Sequence, residues 1–229
     1  MGPQTTKGAI TFGGVEFSQD ASLFTAKSTK ETILSAGPIG TPAILMNSGV
    51  GDKNALAALG IPSALDPPQR RPKCDPPMTF ASWSTGSVSG TPTGDFICFR
   101  DSCTHPTSRG TITLQSNNPF DPPLIDPGLL VTDFDPFTAR ESIKKTYRFV
   151  EASVWKDYII APTVDLLNMS TDALDEFIRN TSDSSGHIVL TVAMSAKDAS
   201  YGAPFVPSAH IRAATYVVAE RGANLVKER

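Results

Sequence analysis

The stretch GPIGTPAILMNSGVG, residues 37–51, constrains the fold of this chain more than any other segment. Thr41 is a suitable N-cap for a helix, and Pro42 suits the first helical position, where its missing N–H costs nothing. Four apolar residues follow as the body of this predicted helix, and the Ser-Gly-Val-Gly run ends it with residues that tolerate positive φ. The preceding residues 30–36 (KETILSA) are predicted to form a short strand that enters a turn at Gly37.

The glycines of this stretch suit either a ligand or tight packing. Gly37 and Gly40 let another backbone or a ligand approach without a Cβ in the way, and a helix start offers N–H groups to an anion. Single glycine motifs are common, so an ordinary strand-turn-helix packing unit explains the residues equally well. From the residues alone, both interpretations stay open.

Composition bounds the partners of the chain. With 229 residues, of which 40% are hydrophobic, it can build one large domain or two small ones. A formal net charge of -3 argues against a nucleic-acid partner, which favours a clustered basic face. No apolar run approaches the roughly 20 residues that span a bilayer, so no membrane partner is expected. The first residues, MGPQTTKGA, have no apolar core, so no secretory signal is expected, and the localisation is left open.

Cysteine and asparagine patterns add two further expectations. Three cysteines, at positions 74, 98 and 103, do not make a disulfide scaffold. Together with His105 they could in principle form a zinc site, but their spacing fits no familiar pattern, and no metal is expected. The sequons at Asn168 and Asn180 permit a secreted ancestry without establishing it.

Periodicity predicts an α+β chain. Residues 9–36 alternate in three short runs, which indicates three strands of a small sheet, and Pro and Gly exclude long elements from residues 62–94. Residues 110–116 alternate as a half-buried strand with Ile112 inward. A long helix is predicted from Phe137 to about Tyr158, with residues 139, 143, 147, 150 and 154 on its apolar stripe. A shorter helix is predicted to start at an N-cap Thr171, and Ser208 is predicted to cap a final helix whose core face includes Val218.

Several segments together resemble the glucose-methanol-choline (GMC) oxidoreductases. Residues 37–51 are similar to the second sequence signature of that family. Residues 105–126, HPTSRGTITLQSNNPFDPPLID, and residues 134–160 are similar to its substrate domain. Residues 187–195 and 204–227 resemble its two closing segments, of the kind found in fungal aryl-alcohol oxidases and pyranose dehydrogenases.

The resemblance implies an α+β architecture of partial FAD-domain remnants and a shortened antiparallel-sheet substrate domain. Residues 1–65 correspond to an FAD-domain remnant, 66–186 to the substrate-binding domain and 187–229 to the return to the FAD domain. The GxGxxG turn that opens the family and holds the ADP part of FAD does not occur in this sequence. The family also has longer segments near residues 66–96 and between Gly202 and Pro204, which implies a piece of the C-terminal part with internal deletions.

The resemblance also implies a site and a reaction. The cofactor is FAD, contacted by Ala36, Gly37, Thr41, Tyr201 and Gly202, and the substrate is an aryl alcohol or a sugar. His187, which opens an HPVGT-like segment, corresponds to the general base, and His210 corresponds to its hydrogen-bonding partner. Phe205 corresponds to a wall of the substrate pocket. Ile188 and Leu190 stand where that family segment carries Pro and Gly.

Two further expectations follow from the same resemblance. The alternative to an FAD-dependent enzyme is a noncatalytic remnant of one, which acts as a ligand-binding or interaction module. Without the core of the parallel sheet, the FAD half would expose apolar surface, so self-association or a partner chain that covers this surface is expected.

Overall fold

The computed structural model of the chain describes residues 4–6, 9–66, 77–80, 83–85, 101–184, 186–192 and 211–228. Its helices are α1 (Gly37–Asn47), α2 (Lys53–Ala58), α3 (Phe134–Val150), α4 (Thr171–Thr181) and α5 (Arg212–Lys227), with a short 3-10 turn at Ser153–Trp155. Its strands are β1 (Gln4–Thr6), β2 (Ala9–Thr11), β3 (Gly14–Gln19), β4 (Ser22–Lys27), β5 (Pro77–Phe80), β6 (Trp83–Thr85), β7 (Asp101–Cys103), β8 (Gly110–Thr113), β9 (Leu124–Asp126), β10 (Asp183–Ser184) and β11 (Ile188–Val189).

The strands form small sheets. Two are hairpins, β1–β2 and β3–β4, while the larger sheets have the orders β10-β6-β7 and β11-β5-β8-β9. The pairs β5–β8, β8–β9, β6–β7 and β10–β6 are antiparallel. The expected α+β class with small antiparallel sheets is therefore confirmed. None of the described helices combines the length and the apolar content that crossing a membrane requires.

The chain divides into two compact units. Unit 1 takes the described residues within Met1–Met78, Gly110–Asp126 and Val189–Phe205, and unit 2 takes those within Thr79–Arg109, Pro127–Ile188 and Val206–Arg229. The three domains expected from the sequence are assigned by resemblance to segments of the family, and the division into two compact units does not test that assignment. They stay a prediction.

The core of unit 1 lies where α1 packs near β8. Ile112 of β8 is fully buried, as its inward position in the alternating pattern predicts, and Met46 of α1 is also buried. Gly49, which follows α1, has a φ of 84°, and a Cβ there would lie 2.5 Å from the carbonyl oxygen of Pro62. A glycine is required because the returning loop passes too close for any side chain.

The core of unit 2 joins α3, α4 and β7. Its buried members are Cys103, Ala139, Ile143, Leu174 and Ile178. Arg140 and Asp175 form an ion pair of 2.5 Å between the two helices, so Arg140 faces α4, although its polar character would predict an outward position on α3. The hydroxyl of Tyr147 donates to the carbonyl oxygen of Val164 and accepts the N–H of Leu166, which fixes the loop before α4 against α3.

The start of α1 differs from the sequence prediction. The helix begins at Gly37 with Ala36 as its N-cap, so Thr41 lies inside the helix and is not the N-cap. The proline ring of Pro38 fixes the φ that a helix start needs, so the helix begins closer to the N-terminus of the chain than predicted, with the N-cap at residue 36 instead of residue 41. The strand predicted over residues 30–36 is also wrong, because residues 31–35 have no regular structure and no described strand pairs with them.

Three other helix predictions need correction. The first concerns α3, which ends at Val150 because Ala152 turns to an extended backbone that starts the 3-10 turn. The N-cap of α4 is Ser170, whose side chain accepts the N–H of Ala173, so Thr171 is already helical. Finally, α5 has no buried residue, and Val218 on its predicted core face is 52% exposed. Ser208, its predicted cap, lies outside the described residues.

The hairpin of β3 and β4 turns through two residues with positive φ. Asp20 and Ala21 have φ values of 48° and 62°, which is the pattern of a type I′ turn. The rings of Phe17 and Phe24, which are cross-strand partners, stack with their centroids 5.6 Å apart. The hairpin therefore keeps its register although Ala21 holds a backbone conformation that favours glycine.

We expect Ala21→Gly to stabilise the hairpin. A left-handed conformation costs an L-residue roughly 1–2 kcal/mol, and glycine gives back about 0.5–1 kcal/mol of that as extra chain entropy in the unfolded state. The expected net gain in the free energy of unfolding is about 0.5–1 kcal/mol, measured by urea denaturation. Ala26→Gly, inside β4, serves as the control and should destabilise; a loss of stability in Ala21→Gly would contradict the argument.

Candidate functional site

The N-terminus of α1 is an open surface that can receive an anionic or electron-rich group. No side chain caps this end, and the first turn contains no acidic residue. Gly37 is exposed with a φ of 81°, and a Cβ built on it would meet no atom within 4 Å. The N–H groups of a helix start carry partial positive charge and lack intrahelical acceptors. These features suit the approach of a cofactor at this point.

The candidate cofactor residues of α1 lie together. Ala36 is its N-cap and Gly37 is its first residue. Thr41 follows Gly37 by four positions, so the two residues share one face of the helix, and Thr41 is half-buried. The buried residues of the helix are Pro42 and Met46, which lie in its later turns within unit 1. The helix is thus fixed by its later turns while its first turn stays open.

His187 lies in unit 2, in the short connection between β10 and β11. The turn before it contains Gly186 with a φ of 73°, whose N–H donates to the Ser184 hydroxyl oxygen at 2.9 Å. The Ser184 N–H donates to the Asp183 carboxylate at 2.6 Å. His187 itself is half-buried. These two hydrogen bonds hold the backbone of the residues that precede His187.

Leu190, three residues after His187, has a φ of 70°. This is the left-handed region that favours glycine, and it occurs where the resembled HPVGT-like segment carries glycine. The backbone of the chain therefore keeps the conformation suited to glycine while a leucine occupies the position. Thr191, the next residue, is buried.

The structure brings together only part of the predicted site. Ala36, Gly37 and Thr41 belong to unit 1, whereas His187 belongs to unit 2. His210, Tyr201, Gly202 and Phe205 lie outside the described residues. The pairing of the two histidines and the roles of these six side chains and two glycines consequently stay predictions.

Sequence reasoning missed a buried polar network beside the SRG turn. Asp135, in the first turn of α3, is fully buried and accepts the backbone N–H groups of Thr107 and Ser108 at 2.9 and 3.1 Å. The hydroxyl oxygen of Ser108 accepts the N–H groups of Val131 and Thr132 at 2.9 and 3.1 Å. An acidic residue in the first turn of an amphipathic helix was the available signal.

The thiol in this region is not suited to metal binding or nucleophilic chemistry. Burial raises the pKa of the Cys103 thiol, the backbone N–H of His105 acts in the opposite direction, and the charge of Asp135 raises the pKa further. A neutral, buried thiol is a poor nucleophile and a poor metal ligand. Among the described residues, no cluster of His, Cys, Asp and Glu has the composition of a metal site.

Comparisons with known proteins identify the family to which the chain is related. Two profiles described as GMC oxidoreductase match the chain, the N-terminal one over residues 7–66 and the C-terminal one over residues 106–203. A dehydrogenase from Hericium erinaceus is 25% identical, and a pyranose dehydrogenase from Agaricus campestris is 26% identical; each alignment covers 93% of this chain and 53% of the relative. A structure of formate oxidase from Aspergillus oryzae, studied for modification of its FAD, has a TM-score of 0.75 at 16% identity and covers 95% of this chain and 57% of that protein.

Together the two profiles cover more than half of the chain, which belongs to the GMC oxidoreductase family. It spans about half the length of the curated relatives it matches. The alignment with the Hericium erinaceus relative runs over 320 positions, whereas the chain has 229 residues, so the relative carries internal stretches that this chain lacks.

We expect Leu190→Gly to be more stable than Leu190→Ala. Both substitutions remove the leucine side chain, but only glycine also removes the cost of the left-handed backbone, which is roughly 1–2 kcal/mol before the entropy of the unfolded chain is subtracted. The expected difference is about 0.5–1 kcal/mol in favour of glycine, measured by urea denaturation. At Val189, inside β11, the same pair of substitutions should show the reverse order. Alanine being the more stable at both positions would contradict the prediction.

Proposed function

We propose that this chain acts in an FAD-dependent oxidoreductase that oxidises the CH–OH group of an aryl alcohol or a sugar. The observation that carries the proposal is the pair of GMC profile matches, since they include both the α1 stretch and the segment that leads to His187. The pyranose dehydrogenase relative supports a sugar as one substrate class. This chain spans only about half the length of these relatives, so the activity of a whole enzyme is part of the proposal.

The residues at the start of α1 fit a bound flavin cofactor. Ala36 and Gly37 present backbone without a bulky side chain, and the open space at Gly37 leaves room for a planar or anionic group. Thr41, on the same helical face, adds a hydroxyl that can donate a hydrogen bond. Tyr201 and Gly202 complete the proposed cofactor contacts. When bound, FAD would supply the acceptor for the hydride that leaves the substrate carbon.

His187 is proposed as the general base for the substrate hydroxyl. An alcohol carbon that loses hydride becomes a carbonyl carbon, so the hydroxyl proton must pass to a base at the same stage. Imidazole titrates near neutral pH and can accept this proton through a ring nitrogen. Hydrogen bonds of the Ser184 and Gly186 N–H groups hold the chain that precedes His187. His210 is proposed to donate a hydrogen bond that orients the substrate oxygen, and Phe205 to line the pocket.

A second candidate function is a ligand-binding or interaction module without catalysis. The observation that favours it is Leu190, whose side chain occupies a position at which the resembled segment carries only a hydrogen atom. A leucine there adds side-chain volume three residues after the proposed base in the sequence. Such a module would bind a sugar or an aryl compound without oxidising it.

The first test concerns FAD uptake. We expect the purified chain to bind FAD, and Gly37→Ala to weaken binding about tenfold or more, because its Cβ fills the open space and a φ of 81° strains alanine. Binding is measured by flavin fluorescence titration. Gly60→Ala is the matched control: Gly60 is also exposed with positive φ, so it carries the same backbone cost away from α1's open end.

The outcomes separate the parts of this proposal. A wild-type chain that binds no FAD overturns FAD-dependent function for this chain. Normal binding by both variants contradicts the placement of the cofactor at Gly37 and leaves the family assignment intact. Equal weakening in both variants would mean that backbone strain, rather than local contact, lowers the affinity.

The second test concerns the base. We expect His187→Gln to retain FAD binding and to slow bleaching of the bound flavin by an aryl alcohol or a sugar about 10²–10⁴-fold, because glutamine cannot accept the proton. The measurement is single-turnover absorbance of the flavin. His105→Gln is the control, since His105 is exposed in the turn before the SRG residues. An unchanged rate in His187→Gln would refute the assignment. Binding of the same compounds without any bleaching in the wild type would favour the second candidate function.

A further inference from the structure

Two asparagines of unit 2 stand in Asn-x-Ser sequons, and the structure distinguishes their settings. Asn168 is exposed in the turn directly before α4. Asn180 is exposed within the last turn of α4. An enzyme can approach an acceptor asparagine in a surface turn from several directions. An asparagine inside a helix is less accessible, because the neighbouring turns of the helix flank its side chain. Asn168 is therefore the stronger candidate for modification.

The contacts of Asn168 leave the turn intact after modification. Its side-chain nitrogen donates one hydrogen bond of 2.7 Å to the carboxylate of Asp165, and the amide carries two hydrogens. Substitution of one hydrogen leaves the other available for Asp165. The third residue of the sequon, Ser170, accepts the N–H of Ala173 at 3.3 Å and ends the turn as the N-cap of α4. Asn168 itself is exposed and lies two residues before the N-cap, outside the hydrogen-bonded turns of α4.

We propose that Asn168 is an acceptor for an N-linked glycan when the chain enters the lumen of the secretory pathway. The Asn168 side-chain nitrogen forms a bond to the anomeric carbon of an oligosaccharide that is carried on a lipid pyrophosphate. The bond from that carbon to the pyrophosphate oxygen breaks, the lipid pyrophosphate leaves, and the amide loses one proton. No oxidation or reduction takes place.

The segment between α3 and α4, which contains Asn168, exposes apolar side chains that a solubilising group could shield. Leu167, its neighbour in sequence, is 44% exposed, and Tyr158 and Ile160 of the same loop are more exposed still. A glycan is a large polar substituent that shields adjacent apolar surface from other molecules. Its attachment at this loop would lower self-association through these side chains without altering the core of unit 2.

The test is cell-free translation of the full chain, behind a cleavable secretion leader, in the presence of microsomal membranes. The starting chain carries Asn180→Gln, so that Asn168 is in the only remaining sequon. We expect a gel shift equal to one glycan, which disappears on digestion with an endoglycosidase and is absent when Asn168→Gln is added. A processed chain that shows no shift, while a control glycoprotein in the same reaction is modified, overturns the proposal.

Two substitutions at Ser170 separate modification from folding. Ser170→Thr keeps both the sequon hydroxyl and a good helix cap, and it should keep the shift. Ser170→Ala removes the hydroxyl and should abolish the shift. Persistence of the shift in Ser170→Ala or in Asn168→Gln would place the glycan elsewhere and overturn the proposal.

Discussion

The buried carboxylate of Asp135 determines the path of the chain through unit 2. It accepts the two successive N–H groups of Thr107 and Ser108, and its position in the first turn of α3 suits a negative group. A buried carboxylate without such partners would cost several kcal/mol, so the loop that supplies them must return to the same place. The Ser108 hydroxyl then fixes Val131 and Thr132 from the same loop. The segment before β8 and the segment before α3 are thereby joined at one point, on which the packing of α3 against β7 and α4 depends.

The parts of the proposed site are held by different means. The start of α1 is fixed by burial of its later residues in unit 1 and by the close return of the chain at Gly49. The chain before His187 is held by short-range hydrogen bonds of Ser184 and Gly186, and Leu190, after it, has a left-handed backbone. One part depends on apolar packing and the other on local backbone geometry. A substitution that weakens the core of unit 1 should therefore disturb the start of α1, where the cofactor is proposed to bind, before it disturbs the turn that precedes His187.

Sequence reasoning predicted those elements whose pattern reports burial directly. The alternation around Ile112 gave the inward face of β8, and the apolar spacing at Ala139 and Ile143 gave the buried face of α3. Helix boundaries were less predictable because they depend on which side chain or backbone group satisfies the free N–H groups: Ser170 rather than Thr171 caps α4, and Ala36 rather than Thr41 precedes α1. For the proposed site, the resemblance singled out Gly37 and His187, whose roles stay predictions. The φ of Leu190 and the partners of Asp135 are not visible in the sequence, because they depend on the folded backbone and on contacts distant in sequence.

The hairpin of β3 and β4 has a consequence for handling of the protein at high concentration. Both of its strands are exposed along their length apart from the half-buried Gly14, and no further described strand pairs with either of them. A two-stranded ribbon of this kind presents backbone donors and acceptors on both outer sides, to which an extended segment of another molecule can add. Glu16 and Lys27 place opposite charges on the ribbon. Added salt would screen these charges and weaken their attraction to charges on another molecule. Reversible clustering that begins at this ribbon would spare the interior of both units.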